Sequence, residues 1–304
     1  MMKRYNFAKI FSLLLLIGLS VGITKQSFAQ RVRASLALGT SAYLGDLIQG
    51  APALKEVSPA VSIGASYDIL DQLRARVNIS ILGAKGDDKL NSRYDYRQRN
   101  LSFTTSIWEV ALLGEYDFLN SGDQAIIPYA FFGPGVYHFN PKSIDNNGNS
   151  VLLHDLGTEG QLLSNSKYAD RKYSLTQLNL QFGGGVRYEV SDLFTLGFEV
   201  SFRKLFTDYL DDVSAGAYVD PAEFGAASQV YASQLSYRGD EVGFTYNEAQ
   251  YRPRGNPDRK DMYYSLQLRA TFRLDGIHIG RDLDFYSSGS YRAKQSTKNP
   301  KNLF

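Results

Sequence analysis

Along Tyr264-Ser-Leu-Gln-Leu-Arg-Ala-Thr-Phe-Arg273 the chain alternates strictly: Tyr264, Leu266, Leu268, Ala270 and Phe272 form one stripe, and Ser265, Gln267, Arg269, Thr271 and Arg273 the other. A period of two is that of a β-strand with unlike faces. Such a strand fits a soluble sheet with its apolar face on a core. It also fits a membrane barrel with its apolar face on lipid and its polar face on the lumen.

Seven further segments alternate in the same way, so the strands are expected at 33 to 43, 59 to 69, 72 to 84, 101 to 118, 125 to 139, 173 to 190, 194 to 206 and 262 to 274. Each supplies the roughly 9 to 11 residues that a tilted strand needs to cross a bilayer. On the third, Leu73, Ala75, Val77, Ile79 and Ile81 oppose Arg74, Arg76, Asn78 and Ser80; on the fourth, Trp108, Val110, Leu112, Tyr116 and Phe118 oppose Glu109, Glu115 and Asp117. The sixth sets Leu178, Leu180, Phe182, Val186 and Tyr188 against Gln177, Asn179, Gln181, Arg187 and Glu189. The seventh sets Leu196, Phe198, Val200 and Phe202 against Glu199 and Arg203. The first, second and fifth alternate less cleanly, and Pro128 and Pro134 predict an interrupted or bulged ladder in the fifth.

The connections decide between the two settings. Those after strands two, four and six are tight (Leu70-Asp71, Leu119 to Gln124, Ser191-Asp192), whereas those after one, three, five and seven are long, the last running from about Thr207 to Asp261. Tight periplasmic turns and long outer loops characterise outer-membrane barrels. The expected fold is therefore all-β, an eight-stranded antiparallel transmembrane β-barrel in the cell outer membrane, with lipids against its wall. After the leader, no apolar run is long enough for a spanning helix.

Eight strands enclose a lumen that side chains fill. Arg74, Arg76, Arg187, Arg203, Arg269 and Arg273 would there meet Glu109, Glu115, Asp117, Glu189 and Glu199, and burial favours their pairing into a plug rather than an open pore. A proton or ion path is the alternative for the same charges.

The amino terminus agrees with export. Lys3, Arg4 and Lys9 precede an apolar run from Ile10 to Ile23, and Ser27-Phe28-Ala29 before Gln30 provides a cleavage signal, so residues 1–29 read as a signal peptide, 30–274 as the barrel and 275–304 as a periplasmic tail. The absence of cysteine removes disulfide and thiol chemistry. With 21 Tyr and 18 Phe the composition suits membrane interfaces, while a net charge of +2 points to no particular partner and no nucleic acid is expected.

Candidate chemistry is sparse. His154-Asp155 in an outer loop pairs two residue types that outer-membrane acyltransferases use, but two adjacent residues are weak evidence and a solvated loop pair is the favoured reading. Gly183-Gly184-Gly185 sits inside a strand, where it serves bending or close packing. Asp208, Asp211 and Asp212 offer oxygens for a hard cation or hydrogen bonds within a loop cap. Tyr251 to Lys260 reads as a solvated turn, whose arginines and lysine could also meet lipopolysaccharide phosphates. No metal-ligand spacing, phosphate loop or nucleophile elbow appears, so no catalytic residue, metal or cofactor is expected.

Several phrases carry a resemblance: Tyr43-Leu-Gly-Asp-Leu47, Arg99-Asn-Leu-Ser-Phe103, Pro128-Tyr-Ala-Phe-Phe-Gly133, Phe139-Asn-Pro141, Gly157-Thr-Glu-Gly-Gln161 and Phe206-Thr-Asp-Tyr-Leu-Asp-Asp-Val-Ser214. In this order, over about residues 33 to 274, the chain resembles the PorG-type barrels of the Bacteroidota type IX secretion and gliding machinery. The resemblance implies a non-catalytic barrel that ties a periplasmic ring, made of a lipoprotein and its partner, to the outer membrane. Most of these phrases fall at the outer end, which implies a loop cap of Asp46, Arg99, Asn100, Glu159, Asp208, Asp211 and Asp212, with Arg99 expected to pair with Asp46, Glu159, Asp208 or Asp211. Contact with the ring then falls to the short turns or to the tail, where Ile277, Ile279, Leu283, Phe285 and Tyr286 precede a basic end at Arg292, Lys294, Lys298 and Lys301. A disordered terminus is the alternative for the residues after Ser287.

Overall fold

The computed structural model describes residues 32–48, 52–119, 125–164, 166–224, 230–246 and 253–274. The expected signal peptide, the turn residues 120–124 and the tail from 275, with Ile277, Ile279, Leu283, Phe285 and Tyr286, lie outside the described residues. Ten strands follow in chain order: β1 (Val32–Leu44), β2 (Ser58–Asp68), β3 (Leu73–Asp87), β4 (Ser102–Asp117), β5 (Ile126–His138), β6 (Lys142–Ile144), β7 (Ser150–Leu152), β8 (Thr176–Ser191), β9 (Phe194–Leu205) and β10 (Met262–Arg273). Eight of them pair with their neighbours in sequence, all antiparallel, and β1 closes on β10 from Arg33↔Arg273 to Leu44↔Met262. Closure leaves no unpaired strand edge, as a lipid environment requires. The two short strands β6 and β7 form a hairpin in the loop between β5 and β8, tied to β4 at Thr104↔Lys142.

The expected strands and their faces hold, with ends differing by up to three residues. Leu38, Ile63, Trp108, Leu112, Phe132, Leu178, Phe198 and Leu268 are exposed on the outer wall and form the apolar belt. Near the turns it ends in aromatic side chains: Tyr116 packs edge-on to Phe118 at 5.7 Å, and Phe194 against Phe272 at 4.8 Å. Such a girdle marks a membrane interface. At Pro134 the ladder from β5 to β4 is interrupted without a bulge, because Ala111↔Gly135 and Gly114↔Phe132 keep one register across it. Proline removes a donor and leaves the strand path intact. The shift in register falls instead between Glu189 and Ser191 of β8, beside a turn.

The lumen is charged only in part. Toward its outer end lies an apolar core, in which Tyr43, Leu82, Phe103, Ile107, Tyr137, Leu205 and Tyr263 of the strands join Phe139, Leu210 and Val213 of the outer loops in one buried cluster. A barrel interior read only as the polar side of each strand misses this core, because those inward positions are apolar near the extracellular strand ends.

Candidate functional site

Two buried polar assemblies stand at either end of this apolar core. The first is the lumen plug. Strand register places Arg74 opposite Glu115, so charges meet between neighbouring strands as well as through the lumen. In the periplasmic half Arg74 pairs with Asp68 (2.7 Å), Glu115 (3.1 Å) and Asp117 (2.8 Å), while Arg33 pairs with Asp68 (2.9 Å). Arg76 bridges Glu115 (2.7 Å) and Glu199 (2.8 Å), Arg187 bridges Glu115 and Asp117, and Arg269 holds Glu199 at 3.1 Å. Nearer the outer end Glu109 accepts from Asn179 (2.7 Å), Tyr263 (2.6 Å) and Arg203 (3.3 Å). Charge-assisted bonds of this kind close the bore and pair most of its buried charges.

Most of the expected lumen residues come together here, with two corrections. Glu189 and Arg273 lie half-buried at the periplasmic mouth, and Glu189 makes no ion pair among the described residues. Both sit where the strands leave the bilayer, where water competes for them. Arg33, Asp68, Tyr129 and Phe131 were not foreseen as lumen groups. Arg76 lies 4.6 Å over the Phe131 ring and Arg187 4.2 Å over Tyr129. The glycines of β8 make room for these rings, since a Cβ at Gly183 would stand 2.6 Å from Phe131 and one at Gly185 2.8 Å from the Tyr129 hydroxyl. Close packing is therefore their role.

The second assembly is the extracellular cap. A short helix from Tyr94 to Arg99 ends at Asn100, whose φ of 58° is tolerated because asparagine adopts the left-handed conformation at modest cost. That turn aims Arg99 inward. Its guanidinium clamps Asp88 through Nε and Nη2 (both 2.7 Å) and donates to the backbone carbonyls of Arg254 (2.6 Å) and Asp46 (3.0 Å). The carboxylate partner is thus Asp88, not Asp46, Glu159, Asp208 or Asp211. Asp88 lies at the end of the β3–β4 loop that Arg99 itself closes, the shortest route for an ion pair. Asn100 donates to the Arg238 carbonyl and to Glu241.

Glu159 pairs with Arg254 and accepts from the backbone of Ser214 and Ala215. Arg254 is 2 % exposed, so the stretch expected as a solvated turn contributes a central cap residue. Arg-Pro-Arg-Gly looks solvent-exposed by composition, and only the facing Glu159 reveals the buried arginine. Asp46 accepts from the Asn256 backbone (2.7 Å), Asp211 from the Val213 amide, Asp261 from the Leu210 amide, and Asp212 from Thr158, Gln161 and Tyr173; Asp211 and Asp261 also share the Tyr43 hydroxyl, whose single proton serves one of them.

Burial pushes the carboxyls of Asp211 and Asp261 well above the ordinary range, each reinforced by the other or by nearby acids. Burial likewise raises Asp208 to about 8, with Asp46 adding to the effect, and Asp212 to about 6 against the pull of Arg254. Among the described residues no three His, Asp or Glu side chains are placed to share a metal ion; Asp211 and Asp212 are hydrogen-bonded, while neither Asp208 carboxyl oxygen has a hydrogen-bond partner. His154 Nδ1 lies 3.2 Å from an Asp155 carboxylate oxygen and Nε2 3.3 Å from the Tyr173 carbonyl, both of them acceptors, so a neutral ring donates to one of the two. Beside the cap runs a cleft of about 800 Å³ walled by Arg93, Tyr96, Tyr218, Tyr237, Phe244 and Asn256.

A closed eight-stranded wall with a lipid-facing apolar belt, a plugged lumen and a folded outer cap defines an outer-membrane β-barrel. The chain belongs to the outer membrane protein beta-barrel domain family, which matches residues 11–227. Among solved structures it is similar to Neisserial surface protein A (12% identity, 80% of this chain and 95% of that one, TM-score 0.38). It is also similar to Ail of Yersinia pestis with sucrose octasulfate bound (10%, 80% and 99%, 0.36) and to OprG of Pseudomonas aeruginosa (10%, 80% and 94%, 0.36). Likenesses at this level transfer no function. No curated protein sequence matches the chain.

Proposed function

We propose that this barrel is a non-catalytic outer-membrane component of the type IX secretion and gliding machinery, anchoring a periplasmic ring of a lipoprotein and its partner. The supporting observation is the convergence of the resemblance phrases. Tyr43 and Asp46, Arg99 and Asn100, Glu159 and Gln161, and Asp208 to Ser214 lie far apart in sequence yet share one hydrogen-bonded cap. Their spacing therefore serves a common structure, and the plugged bore leaves the rims as contact surfaces. Affinity purification from envelope tests the reading. Deleting 275 to 304 is expected to leave insertion intact and to abolish co-purification of the ring. A truncated barrel that retains the ring assigns contact to the short turns instead, and a full-length barrel that never brings down periplasmic proteins refutes the role.

The cleft supports a second reading, a surface-binding barrel. Its volume is that of a small-ligand site, with aromatic faces and a few polar groups. Ligand or lipid turnover by the purified barrel, without ring proteins, would favour that alternative and include a lipid-modifying enzyme.

A further inference from the structure

The periplasmic half of the plug holds more guanidinium than carboxylate. Arg33, Arg74, Arg76, Arg187 and Arg269 are buried there, five cations, against Asp68, Glu115, Asp117 and Glu199, four anions. An uncompensated charge away from water is costly. Two of the arginines also keep donors in reserve. Arg76 spends Nη1 on Glu115 and Glu199, while its Nε and Nη2 meet no acceptor; Arg187 spends Nη2 on Glu115 and Asp117, while its Nε meets none. Both are buried, 3 % and 9 % exposed.

These two arginines line one cavity of about 20 Å³, together with Arg33, Arg269, Ser35 and Glu115. The Ser35 hydroxyl oxygen accepts from Arg269 at 2.9 Å, which leaves its proton to donate elsewhere. The volume is about that of one small sphere, enough for a water or a monatomic ion and too small for phosphate or sulfate. A water would satisfy the donors and leave the excess charge. We infer that this cavity is a binding site for one small monovalent anion of halide size, held by Arg76 and Arg187 and completing the charge balance of the plug.

Crystals of the full barrel soaked in bromide test this directly. The expected result is an anomalous peak inside the cavity, within hydrogen-bond reach of Arg76 and Arg187. In detergent at constant ionic strength, chloride in place of gluconate is expected to raise the thermal midpoint, the shift saturating with concentration as for ligand linkage. Arg76→Gln is expected to remove that shift, and both wild-type measurements stand if this variant does not fold. A cavity without bromide density overturns the proposal. A peak accompanied by identical stability in chloride and gluconate also overturns it, as an adventitious ion only.

Discussion

Replacing Glu199 with leucine tests the plug at a fully buried carboxylate that bridges two arginines. Glu199 is 1 % exposed and accepts from Arg76 at 2.8 Å, Arg269 at 3.2 and 3.1 Å, and the Tyr129 hydroxyl at 3.1 Å. After Glu199→Leu, Arg76 still has Glu115, but Arg269 keeps only Ser35 as a hydrogen-bond acceptor. Leaving one buried cation without its anion costs about 3–5 kcal/mol, and an orphaned buried hydroxyl adds about 1–3 kcal/mol. Apolar burial of the leucine offsets a fraction, so a net loss of about 3–5 kcal/mol is expected. With a urea slope of about 1–3 kcal/mol per molar, that lowers the unfolding midpoint by about 1 M or more.

The assay is reversible urea unfolding of the barrel in lipid vesicles, followed by tryptophan emission, since the chain's single Trp108 sits on the lipid-facing wall. Arg269→Met in the same background closes a double-mutant cycle. Because Arg269 is the cation stranded by the first change, removing it is expected to recover part of the loss. An unchanged midpoint in Glu199→Leu, or additive effects of the two changes, would refute the paired arrangement and mean that water already reaches the site.

Arg99→Ala leaves Asp88, which has no exposed surface, without its cation and is expected to cost about 3–5 kcal/mol of cap stability while the wall still inserts; limited proteolysis of the vesicle-embedded barrel should then cut within 88–101 or 207–214, and continued resistance counts against the clamp. Gly185→Leu forces a Cβ to 2.4 Å from the Phe198 carbonyl and 2.8 Å from the Tyr129 hydroxyl, so heat-modifiable gel mobility should be lost at lower temperature by an amount reflecting about 1–3 kcal/mol or more, whereas Gly216→Ala, with nothing within 4 Å, should match wild type. The cap should also loosen as pH rises: Asp208 titrates at about 8 when folded, above the ordinary carboxyl value, so the cost of keeping it buried is absent below about pH 4, grows as pH rises from there and is complete above about 8. Asp212, at about 6, has the same sign. Amide exchange over 207–214, corrected for intrinsic rates, should be slower at pH 5.5 than at pH 8.5 and flatter in Asp208→Asn; protection that rises with pH would contradict this.

The wall was legible in the sequence because a membrane imposes one rule on every strand. Lipid demands apolar side chains at alternate positions, so Val77, Ile79 and Ile81 or Leu266 and Leu268 declare their face without reference to any partner. The lumen was legible for charges on cleanly alternating strands, such as Arg74, Glu115 and Glu199. It was opaque where an inward residue is aromatic, as with Tyr129 and Phe131 on the proline-bearing β5, since an aromatic ring suits either side of the wall. The glycines across from those rings were the available signal, for two absent side chains at Gly183 and Gly185 imply two large ones opposite.

The cap was legible in membership and not in pairing, for a physical reason. Loop segments carry no period, so a sequence discloses which polar residues are too many for a solvated loop but not which ones face each other. Arg99 and Arg254 are the two cations that make the acidic set tenable, and each is fixed by backbone carbonyls as much as by carboxylates. Carbonyl acceptors leave no trace in composition. Among the described residues Asp46, Asp208, Asp211, Asp212 and Asp261 make no ion pair; all but Asp208 are held by hydroxyl and amide groups, chiefly Tyr43, Tyr173 and the amides of Leu210 and Val213. Burial in the cap raises the carboxyls of Asp208, Asp211, Asp212 and Asp261, so the cap favours their protonated forms. Its closure is thereby coupled to external pH, while the ion pairs of the plug below hold the wall independently.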